Sequence, residues 1–115
     1  MKKMLFIIGL IMVLVMSGCN SESNPKDETV SGAKDLRDGT YVRITGNIDA
    51  HLFKDWYTFS DSSGSITIQI EEELWARNGI NPESLEFPVT VEIVGEVCKE
   101  KNQGTIIEVE ILKIL

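Results

Sequence analysis

The chain holds few residues able to do covalent chemistry, and their placement narrows its options. There are two cysteines, Cys19 and Cys98, and one histidine, His51. A Ser-His-Asp relay or a His-rich metal centre is therefore poorly supplied. No nucleophile motif, phosphate-binding glycine loop or paired-cysteine metal motif occurs, so neither a cofactor nor a metal is expected, and no enzyme activity. Carboxylates are the abundant functional group. Glu71, Glu92, Glu96, Glu108 and Glu110 fall at outward positions of alternating segments. Neighbouring strands could set Glu92 and Glu96 beside Glu108 and Glu110. Such a patch draws cations, including cationic peptides, over a range that salt shortens. The plainer reading is a charged sheet face that keeps an edge soluble. Calcium would need several oxygens converging on one point, and no loop has EF-hand spacing.

The remaining candidates are aromatic, polar or single. Trp56, Tyr57, Phe59 and Trp75 could stack on a ligand or plug a core; Tyr57 and Phe59 share one strand face and Trp56 lies on the other. Trp56 is the better candidate for an exposed contact. Arg43 is the only basic residue at the outward positions of the first three strands, which is too little to track a phosphate backbone. Asp61, Ser63 and Gly64 have turn chemistry, with Asp61 able to cap backbone amides. His51, beside Asp49, reads as a solvated loop residue. Cys98 is a single thiol near a strand end.

The other cysteine sits in a different context. Lys2 and Lys3 precede an apolar stretch from Met4 to Met16, followed by Ser17, Gly18 and Cys19. Positive, apolar, then small is the order of a secretion signal. The apolar run is shorter than the ~20 residues a membrane-spanning helix needs. Met-Ser-Gly-Cys resembles a bacterial lipobox, in which cleavage before the cysteine leaves a thiol that takes a diacylglyceryl group. Residues 1–18 are thus expected to be a lipoprotein signal peptide, with Cys19 the lipid-bearing residue and palmitate-type chains supplying membrane affinity. If Cys19 is lipidated, Cys98 has no partner for an intramolecular disulfide.

Removing residues 1–18 takes away Lys2 and Lys3 and moves the formal charge from −7 to −9. An acidic domain repels nucleic-acid phosphates. Residues 20–30, NSESNPKDETV, are polar and read as a flexible tether over 19–30. The rest of the chain, 31–115, is enough for one small domain.

The elements that must position these residues can be read from hydropathy period. A helical turn is expected around Val30 to Leu36, stopped by Asp38-Gly39. From Tyr41 the period is two: Val42, Ile44, Gly46 and Ile48 alternate with polar residues to Asp49, which is a half-buried strand. His51 to Asp55 reads as a loop, Trp56 to Ser60 as a second strand, Asp61 to Gly64 as a hairpin turn and Ser65 to Glu71 as a third strand. Glu72 to Arg77 suits a short helix ended by Asn78-Gly79. The series Val89, Val91, Ile93, Gly95 and Val97 marks a fourth strand. A turn at Asn102-Gln103-Gly104 leads to a fifth, Thr105 to Ile114, with Ile107, Val109 and Ile111 inward. Five strands with one short helix between the third and fourth is the order of an OB-fold, a small Greek-key barrel. Gly46 and Gly95, inside strands, fit the close backbone approach a barrel requires. A five-stranded sandwich is the alternative.

The chain resembles the bacterial OB-fold (BOF) family of exported stress-tolerance proteins, the YgiW/YdeI type. The resemblance rests on Asp38-Gly-Thr-Tyr-Val-Arg-Ile-Thr-Gly-Asn-Ile48, on Tyr57-Thr-Phe-Ser-Asp61 with Ser63-Gly64, and on Ile66-Thr-Ile-Gln-Ile70 with Trp75. It continues in Val91-Glu-Ile-Val-Gly-Glu-Val97 and Ile107-Glu-Val-Glu-Ile111, so that it spans 30–115. It implies an OB-fold barrel in an exported, periplasmic or extracytoplasmic setting, a link to envelope stress tolerance, and a small ligand rather than nucleic acid. It supplies no catalytic residues. Family members are usually free proteins, whereas this chain carries the lipobox.

The combined expectation is a membrane-anchored binding module for a small ligand, cationic peptide or envelope component. Its candidate contacts are Trp56, Arg43, Glu92, Glu96, Glu108 and Glu110. The alternatives are an accessory subunit of a membrane enzyme or sensor and, against charge and export, a single-stranded nucleic acid binder.

Overall fold

The computed structural model describes residues 24–102 and 104–115. The expected leader, Cys19 and Gln103 of the expected Asn102–Gly104 turn lie outside them.

The element order is β1 (Lys26–Asp27), α1 (Val30–Ala33), β2 (Tyr41–Phe53), β3 (Trp56–Asp61), β4 (Gly64–Gln69), α2 (Glu72–Arg77), a 3-10 turn (Pro82–Ser84), β5 (Val89–Glu100) and β6 (Gly104–Ile114). Strands β2 to β6 are the five expected ones. They run β2-β3-β4-β6-β5, and β5 pairs back onto β2, so the sheet closes into a barrel. The β4–β6 pairing is parallel and the other pairings within the barrel are antiparallel. With α2 between β4 and β5, this is the OB-fold arrangement.

Alternation places the core. Val42, Ile44, Ile48, Tyr57, Phe59, Ile66, Ile68, Val91, Ile93, Val97, Ile107 and Val109 point inward, and α2 closes the barrel with Leu74 and Trp75. The helix is well placed for its dipole, with Glu72 and Glu73 in its first turn and Arg77 in its last. Gly46 and Gly95 are where strands press closest. A methyl group on Gly46 would collide with the Ser60 carbonyl and the Phe59 ring, and one on Gly95 with the Glu108 carbonyl and Ile107.

Four expectations change. Lys26–Asp27, placed in the tether, is a strand parallel to β2, pairing with Val42 and Arg43; two backbone pairings and the Arg43–Asp27 ion pair hold a segment that lacks apolar side chains. The helical turn expected to Leu36 is the shorter α1, four residues long. The expected loop 51–55 is mostly strand. β2 runs to Phe53, and only Lys54 and Asp55 turn the chain, with Lys54 at φ 51°. Finally, Ile111 is 59% exposed rather than inward. Val94 faces Ile111 while Gly95 faces Val109, so Glu110 is an extra residue bulged out of register. A bulge reverses the alternation beyond it, and Leu112 takes the buried position.

Candidate functional site

The predicted carboxylates come together in part, on the outer face where β2, β5 and β6 run side by side. Glu96 faces Tyr41 across β2 and Glu108 across β6. The bulge turns Glu110 toward the same place, where it accepts a hydrogen bond from the Tyr41 hydroxyl at 3.0 Å. Ligand atoms of Glu96, Cys98 and Glu108 all lie within 4.8 Å of one another. Glu92 is not part of this group; it pairs with Thr45 on one side and Lys113 on the other.

The electrostatics of the cluster are one-sided. Among the described residues the only ion pair is Arg43–Asp27, at 2.9 Å and exposed to solvent. Glu96, Glu108 and Glu110 thus have no basic side chain within ion-pair reach. Burial pushes the Glu96 carboxyl above its usual value, and the charges of Glu108, Glu110 and Asp38 push the same way. Burial, then the bond to Glu110, raises the Tyr41 phenol to about 12. The Cys98 thiol is raised to about 12 by burial and by Glu108 and Glu96. A thiol that stays protonated is a poor nucleophile.

The other two candidates stand apart from this face's centre. Arg43 lies one outward position along β2 from Tyr41, but its guanidinium is turned to Asp27. Trp56 is half-buried at the far end of β2, opposite Phe53 and Gln69.

Asp61 and Ser63 form a clamp on the N-terminal segment. The Asp61 carboxylate accepts from the Val30 amide at 3.0 Å, the Ser63 amide at 2.8 Å and the Ser63 hydroxyl at 2.6 Å. The Ser31 amide donates to Ser63 Oγ at 2.8 Å. Burial raises the Asp61 pKa, but the bonds from Ser63, Val30 and Gly64 outweigh it and hold the carboxyl below its usual value.

A cleft at the β2–β3 hairpin was not foreseen in the sequence. Because β2 continues past Asp49, His51 is a strand residue facing Tyr57. The two rings stack at 4.6 Å and 25°. His51 Nε2 is 2.6 Å from the Lys54 carbonyl. A carbonyl can only accept, so a neutral ring carries its proton on Nε2 and leaves Nδ1 as an acceptor. Tyr57 also tilts against Trp75 and Phe87, at 5.6 and 6.4 Å, and accepts from the buried Trp75 Nε1–H at 3.1 Å. Between the hairpin, α2 and the loop before β5 lies a cavity of about 310 Å³. Ile70, Leu85 and Phe87 line it with these rings, and Lys54, Asp55, Glu72 and Glu83 stand around it. The available signal was Ala50 to Phe53 reading as strand-compatible up to a two-residue Lys-Asp turn.

The chain matches the description "Bacterial OB fold (BOF) protein" over residues 15–114. It is 38% identical over 86 residues to Protein YgiW of Escherichia coli (strain K12), an alignment covering 75% of this chain and 60% of YgiW. The Calcium-regulated OB-fold protein CarO of Pseudomonas aeruginosa is 29% identical over 93 residues, covering 81% of this chain and 75% of CarO. The solved structure of the E. coli hypothetical protein ygiW superposes with a TM-score of 0.63 at 34% identity, covering 82% of this chain and 92% of that one. Barrel order, helix position and these matches agree: the chain belongs to the bacterial OB fold (BOF) family.

Proposed function

We propose that the chain is a non-catalytic binding module, exported, held to a membrane by lipid on Cys19, and serving envelope stress tolerance by taking a cationic partner on its outer acidic face. The observation that carries this reading is the Glu96, Glu108 and Glu110 cluster, which forms no ion pair among the described residues. Like charges held together cost stability, and a bound cation relieves that cost. One relative, CarO, is described as calcium-regulated, which makes calcium a natural first cation to try.

Thermal unfolding with calcium, magnesium or oligolysine tests the ligand. A ligand near 100 times its Kd stabilises by ~2.7 kcal/mol, which for a domain of this size moves Tm by about 11–22 °C. Glu96→Gln with Glu108→Gln should abolish that response and raise Tm in its absence. An unmoved Tm with all three cations removes the cationic reading. Labelling of Cys19 by a palmitate analogue, lost in Cys19→Ser, tests the anchor. The exposed Leu52 and Phe53 at the hairpin tip favour a second reading, docking on an envelope protein. Crosslinking from intact membranes separates the two, because one stoichiometric partner supports the accessory role.

A further inference from the structure

We propose that the cleft at the β2–β3 hairpin is a separate small-molecule site whose ligand is an organic cation: a flat apolar ring carrying a protonated amine. This does not depend on the acidic face, from which the cleft is separated by the length of β2.

The shape argues for a small organic molecule. A volume of about 310 Å³ stands at the lower end of ligand pockets, which span ~300–1,000 Å³ and are mostly apolar with a few fixed polar groups. Half-buried Phe87 and Leu85 and the exposed His51 ring offer its accessible apolar surface, backed from the core by Tyr57, Trp75 and Ile70, at 3, 1 and 0% exposure. Such walls reward a flat apolar body. The floor is preformed: Tyr57 is held from below by the Trp75 Nε1–H bond and from above by the stacked His51 ring. His51 is in turn fixed by the Lys54 carbonyl. A site that needs no rearrangement loses less affinity to ordering.

The charge selects the sign. Asp55, Glu72 and Glu83 stand around the cavity against one Lys54, so the rim is net negative. Asp55 and Glu72 are close enough to the cavity wall that both act, after burial, to push the Tyr57 phenol up. An amine gains from these carboxylates and from the ring faces, whereas a carboxylate is repelled. His51 Nδ1, with no hydrogen-bond partner among the described residues, adds an acceptor for an ammonium N–H.

The probes are phenethylamine and its anionic counterpart phenylacetate, titrated into the full-length chain in mild detergent. The main readout is amide and indole chemical shift. A Trp56→Phe background leaves Trp75 as the sole tryptophan for fluorescence. Phenethylamine should give saturable shifts at His51, Tyr57, the Trp75 indole and Phe87, and phenylacetate none. Glu72→Gln with Glu83→Gln, both exposed and away from the core, should weaken binding about threefold, as expected for removing two solvent-exposed charges. The proposal is overturned by no saturable shift up to about 10 mM amine, a level that reaches even the weak end of ligand affinity. Equal binding of phenylacetate, an unchanged affinity in the double variant, or shifts confined to Glu96 and Glu108 would overturn it as well. The last result would instead support the outer-face reading.

Discussion

Asp61→Ala should release the N-terminal segment from the barrel, and the cost can be worked from the bonds it makes. The carboxylate accepts from Val30 N–H, Ser63 N–H and Ser63 O–H. The two Ser63 donors are exposed and find water when the carboxylate is gone, so they contribute little beyond fixing the turn. The Val30 amide belongs to a fully buried residue, and its bond is charge-assisted. Hydrogen bonds to charged groups contribute ~1.5–3 kcal/mol. Together with the turn, Asp61→Ala should destabilise by about 2–3 kcal/mol. With a urea m-value near 1–2 kcal/mol/M for a small domain, the midpoint falls by roughly 1–3 M. Hydrogen exchange should locate the loss first at Val30 and Ser31. The pH dependence gives an independent check. The folded carboxyl is held below its usual value, so its stabilisation is present above the unfolded pKa of ~3.9 and is lost as pH falls through the folded pKa. Wild type and variant should therefore converge in acid. A change under about 0.5 kcal/mol at neutral pH, the size of an ordinary surface substitution, would refute the clamp. So would a difference that persists unchanged well below the unfolded pKa.

Tyr57→Phe strands the Trp75 indole N–H, at 1% exposure, and should cost ~1–3 kcal/mol in urea unfolding. The double change with Trp75→Phe should cost less than the sum of the two singles, because both break the same bond. Ile111→Lys should change stability by no more than ~0.5 kcal/mol, whereas Leu112→Ala should cost ~2–5 kcal/mol; the reverse order would mean that the Glu110 bulge is misplaced. Cys98, with its thiol raised to about 12, should react with iodoacetamide far more slowly near pH 8 than a free cysteine does. Reaction at the free-thiol rate would contradict the burial and charge assigned to it.

The barrel was legible because each strand keeps a period of two over an apolar set that must face one core. Of the two readings open for Phe59 and Trp75, the core one holds for the same reason: large aromatics in a small domain have nowhere else to be buried. What the pattern did not carry was anything set by pairing between strands. The Glu110 bulge depends on how β5 and β6 register, and nothing within Val109-Glu-Ile111 marks an extra residue. The same bulge accompanies the turn of Glu110 toward Tyr41, while Glu92, four residues along β5 from Glu96, faces Lys113 instead. The hairpin cleft escaped because His51 looked like a loop residue. Its meaning comes from Tyr57 opposite it, from α2 beneath and from Phe87 more than 30 positions away. Lys26–Asp27 was misread because a segment without apolar residues offers no period, yet parallel pairing to β2 needs only backbone.

The placement of β1 also decides how the two faces relate. It runs parallel to β2 and meets it at Val42 and Arg43, so the chain enters the barrel beside Tyr41, at the acidic cluster. The hairpin cleft sits at the opposite end of β2, a strand of 13 residues. The two sites nonetheless share a neighbour, because α2 lines the cleft with Glu72 and Trp75 and borders Glu110 with Glu73 and Arg77. The charges between them are exposed and screened by salt, so any coupling of the two sites should shrink as ionic strength rises. Substitutions at Glu96 and Glu108 should leave amine binding at the cleft untouched at physiological salt. Coupling that persists there would require a change in the barrel itself, along the core that links Ile44 and Ile48 to Tyr57 and Phe59.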